Sequence, residues 1–239
     1  MSVTTAIVLA GGLGTRLRPV LNNRPKVLAP AGGKPFLYYI LKYLASQGIQ
    51  EVIVSLGYQA DQVRDYAGNG STWGIEVKYV QEISPLGTGG AARLASARLY
   101  EPFLVINGDT LFMVGLAALN QAHRQAGTPA TLCLKLMEDI ETRGQVEIDA
   151  AGLIRRFHEK PETHNASLAN GGIYLFEPGV LDPLPENQPA SLEKDLFPKL
   201  ALEGKLSGYV QDAYFCDIGT PKTLAVFDDD LRKGIVPFS

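Results

Sequence analysis

The chain has 239 residues, 46% of them hydrophobic and 20% charged, with a formal net charge of -3. That balance suits a folded domain with a sizeable core and excludes a disordered chain, a collagen, a coiled coil and a generally basic nucleic-acid binder. In chain order, the short apolar run Thr5–Ala10 reads as a buried strand ending at Gly11-Gly12. Phe36–Gln47 is almost continuously apolar and too long for a strand, so it reads as a buried helix. Glu51–Leu56 is the second strand and Ala60–Tyr66 a short helix. Glu76–Gln81 is the third strand, Gly89–Leu99 a helix, Phe103–Ile106 the fourth strand. Leu116–Gln125 is helical and Ala130–Leu136 a strand.

This alternation predicts an α/β fold, a doubly wound, mostly parallel sheet. The second half changes character. Gln145–Asp149 and Leu153–Glu159 flank Ala150-Ala151-Gly152 as a hairpin. Gly172–Phe176, Gly208–Gln211 and Tyr214–Asp217 are further short strands, and Leu192–Leu202 and Lys222–Arg232 are helices. With no repeat and no linker, residues 1–239 read as one domain: a doubly wound part over about 1–115, and a small β-rich part with the C-terminal helix over about 116–239.

Charge is unevenly spread. Residues 1–50 hold no acid and six basic residues, Arg16, Arg18, Arg24, Lys26, Lys34 and Lys42, while all 25 acids follow. The first segment is built to meet an anion. Within it, Leu9-Ala10-Gly11-Gly12-Leu13-Gly14-Thr15-Arg16 follows the first strand directly. Such glycines let the backbone turn tightly and aim N–H groups at phosphate. Walker A fails, because no Lys-Ser or Lys-Thr follows a glycine. The dinucleotide fingerprint fails too, because Leu17 stands where its last glycine belongs and Ser55-Leu56-Gly57 lacks the ribose acid. What remains is a triphosphate cradle of glycine loop, Arg16 and Pro25-Lys26.

Leu-Ala-Gly-Gly-Leu-Gly-Thr-Arg-Leu-Arg-Pro followed by Pro-Lys resembles the opening of the sugar-phosphate nucleotidyltransferases, or nucleotide-sugar pyrophosphorylases. The resemblance extends from about residue 5 to about 230, and it implies a Rossmann-like nucleotidyltransferase fold with a β-rich sugar-binding part. It implies a nucleotide site of Leu9, Ala10, Gly11, Gly12, Gly14, Thr15 and Arg16, with Pro85, Leu86, Gly87 and Thr88 closing on the base and Asn107 and Gly108 at the fourth strand's end. Glu82 stands just before the base segment. A carboxylate finds two donors on guanine and no equivalent pair on uracil or thymine, which favours guanine.

Asp109 and Asp217, each ending a strand, are the implied Mg²⁺ ligands, in keeping with that ion's use of one or two carboxylates plus phosphate and water. Arg16, Lys26, Asp109 and Asp217 are the implied catalytic set. Arg143, Gly144, Glu159, Lys160, Asn170, Gly171 and Glu193 are the implied sugar-phosphate contacts. For Ser191 a plain helix cap competes with that reading. The implied reaction joins a nucleoside triphosphate to a sugar 1-phosphate, giving a nucleotide sugar for surface glycan synthesis and pyrophosphate. The Pro-Leu-Gly-Thr-Gly-Gly segment is closer to guanylyltransferases of the mannose type than to thymidylyl- or uridylyltransferases. Compactness, Asn-Gly-Gly and Glu-Lys-Asp point to the heptose 1-phosphate branch, and the length leaves no room for a β-helix domain.

A glycosyltransferase is the rival reading, but Asn107-Gly108-Asp109 lacks the first acid of Asp-x-Asp. A non-catalytic nucleotide-binding relative is the other, and the intact charged constellation argues against it. No apolar run approaches the roughly 18 residues of a membrane span, no basic leader is visible, and Cys133 and Cys216 form no metal or disulfide spacing. A cytoplasmic protein is expected, with no nucleic-acid or membrane partner and with apolar helices compatible with a homodimer. His123 and His164 read as surface residues, Tyr38, Tyr39, Tyr43 and Trp73 as packing, and Cys216 as a buried filler.

Overall fold

The computed structural model describes residues 3–138, 144–159 and 166–237. Strand β1 (Thr5–Ala10) is central. Its alternate side chains go to opposite faces: Ala6, Val8 and Ala10 enter one core and Ile7 the other. A strand covered on both sides must be apolar at every position, which is why it reads as an unbroken run.

A 3-10 turn (Thr15–Leu17), helix α1 (Arg18–Leu21), a second 3-10 turn (Lys26–Leu28) and the small hairpin β2 (Pro30–Ala31) and β3 (Lys34–Pro35) follow. Helix α2 (Phe36–Ser46) is buried along most of its length, and its Tyr43 hydroxyl donates to Val114 O at 2.7 Å. Strand β4 (Glu51–Leu56) runs parallel to β1, and after α3 (Ala60–Ala67) strand β5 (Glu76–Gln81) runs parallel to β4. Helix α4 (Gly87–Ser96) then carries the chain back, and β6 (Phe103–Asn107) pairs with the other flank of β1. The chain thus reverses its direction of winding at β1, and the carboxyl ends of β1 and β6 open a crevice there.

The second half comprises β7 (Thr110–Phe112), α5 (Leu116–Ala126), β8 (Ala130–Met137), β9 (Gln145–Ile148), β10 (Ile154–His158) and β11 (Ser167–Phe176). A π-helical turn (Leu192–Leu196), α6 (Phe197–Leu202), β12 (Leu206–Val210), β13 (Phe215–Asp217) and α7 (Pro221–Arg232) complete it. The large sheet runs β5-β4-β1-β6-β11-β8-β12, with β9 and β10 branching from the start of β11. Its first four strands are parallel, and β11 is antiparallel to both β6 and β8. Helices α2, α3, α5 and α7 cover one face, α4 and α6 the other.

Three readings shift. The Asn170-Gly171-Gly172 stretch looks like a strand start, yet β11 begins at Ser167 and passes through it. The register against β8 slips between Asn170 and Tyr174, a bulge with Gly172 at φ +72°. The bulge moves β11 from β9 to β6 as its neighbour. The helix after the third strand begins at Gly87, because its glycines pack against residues 188–190. Lastly, His123 is not a surface residue: it is 2% exposed, with Nδ1 2.7 Å from Thr131 Oγ1 and Nε2 3.1 Å from Glu177 Oε1. His164 lies outside the described residues. The aromatic and cysteine readings hold: Tyr39, Tyr43 and Cys216 are buried in the core.

Candidate active site

Strands β1 and β6 deliver their ends side by side, with Gly108 N donating to Leu9 O at 3.0 Å. Between these ends lies a cleft of about 320 Å³. Residues 9–14, Lys26, Glu82, Pro85, Gly87, Thr88 and 107–109 line it, which gathers most of the expected nucleotide-binding residues at one place. Leu86 is buried beside them and Thr15 and Arg16 stand exposed at the glycine loop. Leu13, Val27 and Ala91 also line the cleft and carry no polar signal that a sequence reading could use.

The charged groups converge from three segments. Lys26, at the 3-10 turn after Pro25, places Nζ 2.5 Å from Asp109 Oδ2. Asp217 comes from β13, whose pairing with β7 sets it opposite Thr110, and Ile218 N donates to Asp109 O at 2.9 Å. The two acids are therefore held side by side, Asp217 at the end of β13 and Asp109 in the turn between β6 and β7, although 108 positions separate them in the chain. Arg16 Nη2 lies 3.6 Å from the point a side chain on Gly219 would occupy, and Asp217 Oδ1 lies 2.9 Å from the same point. Arg16 and Asp217 thus come together beside Gly219, next to the Lys26–Asp109 pair that lines the cleft.

Glu82 forms the floor. It is 9% exposed, and a methyl group on Gly11 would overlap its Oε1. Oε2 accepts from Leu86 N at 2.7 Å and Oε1 from the Ser55 hydroxyl at 3.4 Å. Burial raises its pKa above the ordinary carboxyl value, and these two hydrogen bonds oppose the rise. A carboxylate offers about four acceptor positions, so these bonds leave capacity for donors from the cleft.

On the other flank, Asn170 accepts from Gly172 N at 3.0 Å and donates to the Tyr174 hydroxyl at 2.9 Å. Asn107 also bonds that hydroxyl, while its own Oδ1 is buried without a hydrogen-bond partner. Tyr174 is fully buried and its pKa is raised, first by burial and then by the charge of Glu193. It ties Asn107 to Asn170, a link with no sequence signature. Glu193 Oε2 accepts from Thr88 Oγ1 at 2.7 Å and Ser191 Oγ at 2.8 Å. Ser191 also accepts from Lys194 N at 3.2 Å, so the expected cap is present alongside the contact with Glu193. Glu159 meets Lys194 Nζ at 3.2 Å. Gly144 O accepts from Asn170 N at 2.9 Å, and Gly171 packs against the Phe112 ring. Arg143 and Lys160 lie outside the described residues.

The arrangement offers backbone amides and two cationic side chains to phosphate, and two carboxylates to a divalent cation. Among the described residues no helix is long and apolar enough to cross a membrane.

Comparison with known proteins gives a consistent picture. The nucleotidyl transferase family model matches residues 5–233. The chain is 41% identical over 229 residues to the D-glycero-alpha-D-manno-heptose 1-phosphate guanylyltransferase of Aneurinibacillus thermoaerophilus, covering 95% of each. It is 38% identical over 235 residues to the mannose-1-phosphate guanylyltransferase of Mycobacterium tuberculosis, covering 97% of this chain and 66% of that one. Among solved structures, HddC from Yersinia pseudotuberculosis superposes with a TM-score of 0.85 at 31% identity, over 96% of this chain and 100% of that one. The same protein complexed with GMP-PN gives a TM-score of 0.84.

Proposed function

The chain belongs to the nucleotidyl transferase family, and from that premise we propose that it is a sugar 1-phosphate guanylyltransferase, with D-glycero-α-D-manno-heptose 1-phosphate as its acceptor. The observation that carries the reaction class is the convergence of Arg16, Lys26, Asp109 and Asp217 at the ends of β1 and β13. The relative matched over almost its whole length is a heptose 1-phosphate guanylyltransferase, and it supports the acceptor.

The reaction is an in-line displacement. A phosphate oxygen of the sugar 1-phosphate forms a bond to the α-phosphorus of GTP. The bond from that phosphorus to the bridging oxygen breaks, and pyrophosphate leaves with the electron pair. The nucleophile is already an anion, so no general base is needed, and the protein's work is positioning and charge neutralisation. Arg16 grips the departing pyrophosphate, which its planar fork suits. Lys26 meets charge at the α-phosphate, and Lys160 and Glu159 meet the acceptor. Glu82 accepts from guanine at the floor of the cleft.

Asp109 and Asp217 fit Mg²⁺: two carboxylates from adjoining segments, linked by the Ile218 N to Asp109 O hydrogen bond and with Asp109 lining the cleft, match the ion's preferred donors. When bound there, Mg²⁺ supplies positive charge to the phosphate oxygens. Lys26 holds Asp109 by an ion pair and so exchanges that partner for phosphate when substrate enters. The expected setting is the cytoplasm, where nucleotide pools lie, and a homodimer is compatible with the reading.

The test is the product. With GTP, Mg²⁺ and D-glycero-α-D-manno-heptose 1-phosphate, the GDP-heptose is expected by mass spectrometry, faster than GDP-mannose from α-mannose 1-phosphate. Faster GDP-mannose formation would move the acceptor to mannose 1-phosphate, in line with the second relative.

A further inference from the structure

The Gly87-Thr88-Gly89-Gly90 turn has two faces. Gly87 and Thr88 line the cleft. The opposite face carries the chain that leads to Glu193: Gly89 N donates to Ala190 O at 2.8 Å, and Ala190 N donates to Leu86 O at 2.9 Å. A side chain on Gly87 would come within 2.6 Å of Ala190 O, and one on Gly90 within 2.7 Å of Gln188 O. These glycines are required by a crossing of two chain segments, independently of any base.

Thr88 stands at the crossing. Its Oγ1 donates to Glu193 Oε2 at 2.7 Å and accepts from Leu192 N at 3.0 Å. A threonine hydroxyl has one proton, and here Glu193 takes it. Ser191 Oγ donates to the same carboxylate oxygen at 2.8 Å. Two donors meeting at Oε2 fix the carboxylate and thereby orient Oε1. The next residue, Lys194, pairs with Glu159, an expected acceptor contact, at 3.2 Å, and the charge of Glu193 helps raise the pKa of Tyr174, whose hydroxyl Asn170 contacts, so this carboxylate belongs to the acceptor side of the site.

We infer that Thr88 is a positioning residue for the acceptor: through its hydroxyl, the nucleotide-side helix α4 holds Glu193 in the orientation that meets a sugar hydroxyl. The inference rests on the sugar 1-phosphate reading above. Acceptor recognition then runs through a residue that lines the donor's cleft, and the side chain of Thr88 serves the sugar more than the base.

Steady-state kinetics test this. Thr88→Val removes the hydroxyl and keeps the branched shape. The KM for the sugar 1-phosphate is expected to rise about tenfold, the loss of a hydrogen bond to a charged group held by a second donor. The KM for GTP stays within about twofold, and Thr88→Ser restores the acceptor KM. In a Glu193→Ala background, which removes the hydrogen-bond acceptor, Thr88→Val adds less than about twofold, because its effect passes through Glu193. Equal rises in both KM values, no rise in either, or a full tenfold increment in the Glu193→Ala background would each overturn the role. Thr88→Ala carries the same expectation should the valine variant not fold. Wild-type turnover separates the two claims. A silent wild type overturns the proposed function and this inference with it, whereas an active wild type with no acceptor-specific change in the variants overturns only the role of Thr88.

Discussion

Lys26 and Asp109 pair at 2.5 Å in the lining of the cleft, both only partly exposed. An ammonium so placed is poised to meet developing phosphate charge, and removing such a donor typically costs ~10²–10³ in rate. Lys26→Ala and Arg16→Ala are each expected to lose about that much in kcat/KM, measured by pyrophosphate release; near-normal turnover of Lys26→Ala would remove it from the catalytic set. Glu82 gives a pH signature. Its folded pKa is raised above 4.5, chiefly by burial, so the native state binds this proton more tightly than the unfolded chain. The stability it contributes is present below that value and lost as pH rises through the folded pKa. The Tm of wild type minus that of Glu82→Gln is therefore expected to shrink as pH rises above 4.5; a constant difference would show that Glu82 is not desolvated as described.

Elements were legible where a single periodicity governed them. Strands β1 and β4 appear with the ends read from the sequence, because a strand covered on both faces is largely apolar and stops at its glycine, while the edge strand β5 is legible from its alternation, with Val77 buried between exposed Glu76 and Lys78. The failures have local causes. Glycines in α4 and β11 look like loop, yet they mark close crossings and a bulge. Taken alone, His123 reads as a surface residue, yet its element carries the answer: Leu116, Leu119, Asn120 and His123 are all buried at helical spacing on α5. The imidazole joins α5 to β8 through Thr131 and to Glu177 just beyond β11. Burial lowers its pKa below 6.5, with Glu177 opposing. Its stabilisation is therefore present above that value and lost as pH falls through the folded pKa. His123→Ala is expected to cost roughly 1–3 kcal/mol near neutral pH, the range for orphaned buried hydrogen-bonding groups. The Tm gap to wild type should narrow on acidification past 6.5; a gap that widens would mean the buried ring is charged.

At the scale of the molecule, the alternation of strands and helices was enough to predict the parallel half of the sheet and its crevice. The charge asymmetry also acquires a place, since Arg16 and Lys26 from the acid-free first segment meet Asp109 and Asp217 from the acidic remainder. What the sequence could not display is the wiring between halves: the Asn107–Tyr174–Asn170 contacts and the Thr88–Glu193 bond join positions far apart in the chain. The most direct test of the central claim is pyrophosphate release with Mg²⁺ over a grid of four nucleoside triphosphates and three acceptors, D-glycero-α-D-manno-heptose 1-phosphate, α-mannose 1-phosphate and α-glucose 1-phosphate. The account predicts release with GTP and the heptose 1-phosphate above every other combination. Preference for UTP or dTTP would contradict the role of Glu82, and silence across the whole grid would contradict the assignment of this chain as a sugar 1-phosphate guanylyltransferase.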